Sequence, residues 1–495
     1  MKHVSGSALG LLALGLLASQ GLGDLQVVNE NHGKLFGNND CVNQPLTSEG
    51  AYNPEYTLPD DYNYCDPAMP DPETYRPMDG ATLKFVQVIV RHGDRAPLKL
   101  LKGLHEEWKC SPPNEVRYHR GVGEFDFVKN TTGAPLQDGI EFNHLIYSTD
   151  DSPYQNATGT CELEQLTDRG MAQHRELGKR LYQIYTKEEL DLLPKILPKG
   201  ESNSLGSDGK TSPYGLNPDQ PIFVRSTTYW RTRLSAQMLI EGMYPQEHRE
   251  PEAQVNLITY PLSVETLVAQ HVNCPRFKQM LKVVTNEQPW LDHLNENREL
   301  MDNINEAIGK TGDADFEKSF YYTTDAVMAR YCHNKALPCN ENNKCVEESD
   351  VKKVMTLGTW EYVFARRDSR NHKDYITLGL GWFIRELAKR WDDKLSSHQP
   401  SDSKDDVRFE VYSGHDETVT FFAAMLQQDN MMWPPYASQF VLEFWEKNNE
   451  YFVRILFNGD VVSSPVCDFN ACPLNDFKEI MNQYIPKDLN ACNIN

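Results

Sequence analysis

Apolar residues recur along this chain in three patterns, each of which predicts a different kind of element. Short, nearly continuous apolar runs rich in β-branched and aromatic residues occupy Leu83 to Val90, Pro221 to Val224 and Phe409 to Tyr412. Runs of this kind are expected of strands buried on both faces of a parallel sheet. A second pattern has helical spacing. Leu177, Leu181 and Ile184 follow a capping residue at Thr167, and Leu234, Met238 and Leu239 precede a stop near Gly242 and Pro245. Leu380, Phe383, Ile384, Leu387 and Trp391 form one stripe of a longer amphipathic helix. The third pattern brackets Asn448-Asn449, where Phe440 to Trp445 and Tyr451 to Phe457 read as the two arms of a β-hairpin.

Together these patterns predict an α/β fold with a mostly parallel central sheet flanked by helices and an inserted, mainly helical subdomain. The expected core spans residues 81–250 and 401–495, with a surface excursion at 98–160, and the helical insertion spans 251–400. Residues 24–80 are rich in Asn, Asp, Pro and Tyr without either period, and read as an irregular arm pinned by Cys41 and Cys65. No internal repeat is evident.

Composition narrows the partners. The chain has 495 residues and a net charge of −22, which argues against nucleic acid but leaves a local cationic site free to bind an anion. Residues 1–23 resemble a secretory signal, with Lys2, an apolar stretch from Ala8 to Ala18 and small residues up to Gly23. No later stretch is long and apolar enough to span a bilayer. Sequons at Asn130 and Asn156 and eleven cysteines agree with an extracellular or lumenal location, where disulfides form by default and one thiol is left over. Cys110 and Cys161 bracket the excursion and are the first pair expected. Cys332, His333, Cys339 and Cys345 could hold zinc, but disulfides fit an oxidising compartment better.

Chemistry enters at the strand ends. The first strand runs into Arg91-His92-Gly93-Asp94-Arg95, the second into Arg225 and the third into His415-Asp416. Open α/β sheets bind ligands at the carboxyl ends of their strands. Guanidinium groups hold tetrahedral oxyanions, histidine can form a covalent phosphoryl intermediate, and a carboxylic acid can protonate a departing alkoxide. Each motif alone also fits a solvated turn or an ordinary ion pair; their agreement on one sheet edge favours a phosphate pocket. Trp433-Pro434-Pro435-Tyr436 reads as a structural turn supporting the hairpin.

The run Arg91-His92-Gly93-Asp94-Arg95-Ala96-Pro97 resembles the signature of the histidine acid phosphatases. The resemblance extends through Leu166-Thr167 with Gly170 and Gln173, Arg225-Ser226-Thr227 with Arg231-Thr232, Tyr412 to Val419, and Pro434 to Ser438 with Glu443. It covers residues 83 to 460 and is closer to the acid phosphatase branch than to the phytases. The Cys332-His333-Asn334 stretch is similar to the 2-phosphoxylose phosphatases, a Golgi-anchored subgroup whose substrate is not carried over to a chain with a cleavable signal. The resemblance implies His92 as nucleophile, Arg91, Arg95, Arg225 and His415 as phosphate ligands, and Asp416 as proton donor in acid conditions where its carboxyl is protonated. Glu417 could share the donor role. It implies no metal and no cofactor, and a small-molecule phosphomonoester as partner. Phytase or 2-phosphoxylose phosphatase specificity, a phosphoglycerate mutase-like transfer and a catalytically dead phosphate binder are the competing readings. Oligomeric state is not encoded in any feature of the sequence.

Overall fold

A computed structural model of the chain describes residues 56–99, 101, 108–110, 161–198, 221–251, 253, 255–269, 273–396 and 407–494. The expected signal segment, Cys41 and the sequons at Asn130 and Asn156 lie outside the described residues.

The parallel part of the sheet contains β1 (Thr82–Arg91), β2 (Ile222–Ser226), β3 (Leu257–Thr259) and β4 (Phe409–Gly414). Between β1 and β2 runs α1 (Asp168–Tyr185), and between β2 and β3 runs α2 (Trp230–Met243). Helices α3 (Pro275–Val284), α4 (Gln288–Glu296), α5 (Arg298–Ala307), α6 (Ala314–Glu317), α7 (Tyr321–Tyr331), α8 (Glu348–Val363) and α9 (His372–Ser396) separate β3 from β4 in the chain. A π-helical turn at Phe364–Asp368 joins α8 to α9. After β4 come α10 (Asp416–Met425), β5 (Gln439–Lys447), β6 (Glu450–Phe457), β7 (Asp460–Val461), β8 (Cys472–Pro473) and α11 (Leu474–Asn482). The spatial order is β3-β2-β4-β1-β5-β6-β7, with β8 on β6. The first four strands are parallel, while β5 and β6 run antiparallel as the hairpin expected around Asn448-Asn449. Both asparagines take positive φ, a conformation that their short polar side chains tolerate.

The unbroken apolar run of β1 sorts into two faces by strand alternation. Val86, Val88 and Val90 join Leu177 and Leu181 of α1 and Leu239 of α2 in one cluster. Phe85 and Ile89 join Phe383, Ile384, Leu387 and Trp391 of α9 and Phe421 and Phe422 of α10 in the other. Burial on both faces is why the run has few polar interruptions, the exposed Lys84 near its start and the buried Gln87. That amide donates to Glu410 Oε2 at 2.8 Å; Tyr412 donates to the same oxygen, and Arg390 engages the other. A third cluster sits among α5, α7 and α8 and includes Ile304, Val327, Val351 and Trp433.

Thr167 caps α1 as its sequence position predicts, accepting from the Gly170 N–H. Cys110 pairs with Cys161 as expected. Cys65 pairs with Cys332, so the expected pinning of the arm by Cys41 and Cys65 is corrected: a bond across 267 residues ties the arm to the end of α7. Cys339–Cys345, Cys274–Cys492 and Cys467–Cys472 complete the set. The cysteines of the possible zinc site are thus consumed as disulfides.

Candidate active site

The strand register brings the two histidines together. Arg91 is level with Gly414, and Ser226 with Ser413, so β1, β2 and β4 end in line. From there β1 leads toward α1 on one face and β4 into α10 on the other, which opens a crevice at the switch in chain direction. His92 and His415 each follow the last residue of their strand, and the His92 N–H donates to Gly414 O at 3.0 Å. Their ring centroids are 5.8 Å apart.

His92 Nδ1 lies 2.8 Å from Gly93 O, so this nitrogen carries the proton and Nε2 carries the lone pair. The turn that aims the ring is fixed from several sides. The Gly93 N–H donates to Ser235 Oγ at 3.0 Å, and the Asp94 N–H donates to Gln173 Oε1 at 2.8 Å. The Asp94 carboxylate accepts from Thr167 Oγ1 and meets His333 Nε2 at 2.6 Å. A side chain on Gly93 would place its Cβ 2.5 Å from Gly170 O, so the residue must be glycine for the turn to lie on α1. Burial, reinforced by the Arg231, Arg91 and Arg95 guanidinium groups, pushes the His92 imidazole well below its ordinary range. His415 is pushed down in the same way, chiefly by burial and Arg231.

The guanidinium groups are held rather than mobile. Arg91 is fully buried: it donates to Pro434 O and to Tyr64 Oη at 2.9 Å, and its guanidinium carbon lies 4.4 Å from the Tyr436 ring centroid. Arg95 donates to Asp325 Oδ1 at 2.8 Å, and Asp325 Oδ2 accepts from the Leu98 N–H. Arg231, in the first turn of α2, donates to Glu164 Oε2 at 2.7 Å and places Nη2 3.4 Å from His415 Nδ1.

Asp416 opens α10, with His415 as the N-cap. Its Oδ2 accepts from Tyr362 Oη and Trp433 Nε1, each at 3.1 Å, and lies 3.7 Å from Arg91 Nη2. Burial alone would raise this carboxyl, but Arg91 and Arg95 outweigh it and hold the group at about 2. Arg91 and Arg95 thus favour the ionised Asp416 carboxylate in the ligand-free pocket, whereas the expected donor role requires it to be protonated. Glu417, the next residue, lies 3.4 Å from Arg366 Nη2.

One cavity is lined by His92, Arg95, Leu98, Glu164, Arg231, Val268, Tyr321, His415, Asp416 and Glu417. Of the residues expected at the site, His92, Arg95, His415 and Asp416 line it, and Arg91 sits immediately behind. Arg225 does not, and its expected place among the phosphate ligands is corrected. By strand alternation it shares the Phe223 face of β2, where Nη2 donates to Glu265 Oε1 at 2.6 Å and Thr266 Oγ1 at 3.0 Å, and Nη1 lies 3.1 Å from Glu386 of α9. Arg231 occupies the pocket instead. It is six residues further on, in the first turn of the helix after β2, where a side chain faces back toward the sheet edge. The Trp433 to Tyr436 segment is also more than a hairpin support, because it supplies the Pro434 carbonyl, the Trp433 indole and the Tyr436 ring.

A doubly covered mixed sheet, parallel at its centre, with a crevice at the strand ends that brings two histidines beside two arginines, defines the class of α/β protein. The chain belongs to the histidine phosphatase superfamily (branch 2), whose family model matches residues 82–458. It is 26% identical over 438 residues to counting factor 60 of Dictyostelium discoideum, covering 87% of this chain and 92% of that protein. It is 26% identical to lysophosphatidic acid phosphatase type 6 of Mus musculus, covering 83% of this chain and 88% of that one. It is 25% identical to human 2-phosphoxylose phosphatase 1, covering 76% and 70% respectively. Among solved structures, the Hafnia alvei phytase bound to myo-inositol hexakis sulphate shares the fold, with a TM-score of 0.50 at 14% identity, over 85% of this chain and 100% of that one.

Proposed function

We propose that this chain is an acid phosphatase that hydrolyses phosphomonoesters through a phosphohistidine on His92, in the secretory lumen or outside the cell. His92 carries the reading: a buried, uncharged imidazole with Nδ1 committed to Gly93 O presents its Nε2 lone pair in a cavity shared with Arg95, Arg231, His415 and Asp416. Arg95, Arg231 and His415 hold the phosphoryl oxygens, and Arg91 adds positive potential from behind. Nε2 attacks phosphorus as the ester P–O bond breaks, and the departing alkoxide takes a proton from Asp416. Water then attacks the phosphohistidine, Asp416 receives its proton, and orthophosphate leaves with His92 restored.

Because Asp416 is ionised before substrate arrives, the proton enters with the ester. A phosphomonoester loses its second proton near pH ~6. Its monoanion can protonate Asp416 once the phosphoryl charge has taken over Arg95, and this makes acid conditions favourable. The five disulfides fit an oxidising compartment. Phosphatases among the relatives support the reaction class, while the substrates in their names, lysophosphatidic acid and 2-phosphoxylose, differ too much to assign one here.

The test is hydrolysis of p-nitrophenyl phosphate by the wild type and by His92→Ala, with acid-labile phosphoenzyme trapped after brief exposure to labelled ester. Removing the nucleophile should lower kcat by roughly 10⁴-fold or more and abolish the adduct. Wild-type turnover by the variant would remove His92 from the chemistry.

A further inference from the structure

Glu164 takes no part in the reaction, yet it lines the same cavity and holds Arg231 through a 2.7 Å contact. Its backbone adopts φ 64°, a left-handed conformation that glycine takes freely and a glutamate only at a cost. The position is fixed: the Glu164 N–H donates to Pro97 O, and Leu166 bridges to Arg95, so the carboxylate is set between the catalytic turn and α2. Its side chain is 27% exposed, so it faces the opening of the cavity rather than its floor. Asp416 and Glu417 add two more carboxylates to the lining, the second 3.4 Å from Arg366 Nη2, and the apolar part of the wall is Leu98, Val268 and Tyr321. Among the described lining residues, Arg95 and Arg231 are the only cationic side chains, and a single phosphoryl group would engage both.

Resting on the phosphatase reading of this pocket, we propose that Glu164 is a specificity-determining residue. It shares Arg231 with the bound phosphoryl group and, with Glu417, excludes esters whose alcohol carries further phosphates. The favoured substrates are monophosphates of uncharged alcohols with an apolar or aromatic face, which Leu98, Val268 and Tyr321 can cover. A second anionic group on the leaving alcohol meets carboxylates where a polyanion would need cations. The chain's net charge of −22 acts in the same direction at longer range.

Binding separates this proposal from the catalytic one. Calorimetry would measure orthophosphate and inositol hexasulfate, the second a polyanion that the enzyme cannot hydrolyse, against the wild type, Glu164→Gln and Glu164→Gly. The wild type should bind orthophosphate more tightly than the hexasulfate. Both variants should tighten the hexasulfate by about tenfold more than they tighten orthophosphate, the scale of one partly screened charge contact. Glycine suits the backbone at this position, so Glu164→Gly keeps the fold while removing the carboxylate. A selectivity ratio within twofold of wild type in both variants, or a wild type that prefers the hexasulfate, would overturn the proposal. Failure to hydrolyse p-nitrophenyl phosphate with the selectivity intact would count against the phosphatase reading alone.

Discussion

Asp416 is surrounded by groups that all favour its ionised form: two aromatic donors on Oδ2 and the Arg91 guanidinium beyond them. A donor so held is a good place for a proton to pass through and a poor place to store one. Its importance should therefore depend on how much the leaving group needs a proton. Asp416→Asn should lower kcat for an alkyl phosphate by about 10² to 10⁴-fold and much less for p-nitrophenyl phosphate, whose phenolate departs unaided. Equal losses on both substrates would assign Asp416 to phosphate binding rather than proton transfer. The two arginines after β2 divide in the same way. Arg231→Ala should reduce kcat/KM by about 10² to 10³-fold with little change in Tm, because its guanidinium faces the cavity. Arg225→Ala should instead leave the buried Glu265 and the partly exposed Glu386 without their shared counter-ion and cost about 3–5 kcal/mol of stability. A thermal melt alongside steady-state kinetics checks both, and an Arg225 variant with normal stability but a raised KM would return Arg225 to the pocket.

At the scale of elements, the turn that carries His92 depends on two backbones in contact. The Cβ of an alanine at 93 would meet the Gly170 carbonyl, a group that cannot swing aside without moving the start of α1. Gly93→Ala should cost about 1–3 kcal/mol and shift His92 enough to lower kcat more than KM, as measured by denaturant unfolding and steady-state kinetics. The strands were legible because burial on both faces leaves a nearly continuous apolar run, and His92, Arg95, His415 and Asp416 were legible because they lie in the short turns that follow such runs. Arg225 misled for the same reason: it ends a run too, but strand alternation turns it to the Glu386 side, and a linear pattern does not mark that parity. Arg231 is set by the start of a helix rather than the end of a strand. Glu164, Tyr64 and Pro434 reach the site from segments without period, where spacing carries no signal. The Cys65–Cys332 bond was hidden likewise, since pairing across 267 residues follows from folded proximity.

On the scale of the whole molecule, the pocket sets a limit on acid stability. Burial holds His92 and His415 well below the ordinary imidazole range and pushes His174, inside α1, down to about 3. In the folded chain all three stay neutral, whereas in the unfolded chain each takes up a proton below pH ~6.5. The unfolded state then binds more protons, so stability falls with pH across the window from about 6.5 down to the folded values, by up to ~1.4 kcal/mol per pH unit for each imidazole. Asp416 adds to this only at lower pH: its folded value of about 2 contributes stability above ~3.9 that is lost as pH falls through 2. On the phosphatase reading, the burial that keeps His92 uncharged also lowers stability in acid, and a bound phosphoryl group would offset part of the loss. Calorimetric Tm should stay nearly level from pH 7.5 to about 6.5 and fall from there to pH 5, and His174→Met should flatten that slope by roughly a third, since one of three linked protons is removed. Orthophosphate at about 100 times its Kd should restore about 2.7 kcal/mol at pH 5. A Tm that stays level down to pH 5 without phosphate would mean that the imidazoles are protonated in the fold, and a protonated His92 has no lone pair with which to attack phosphorus.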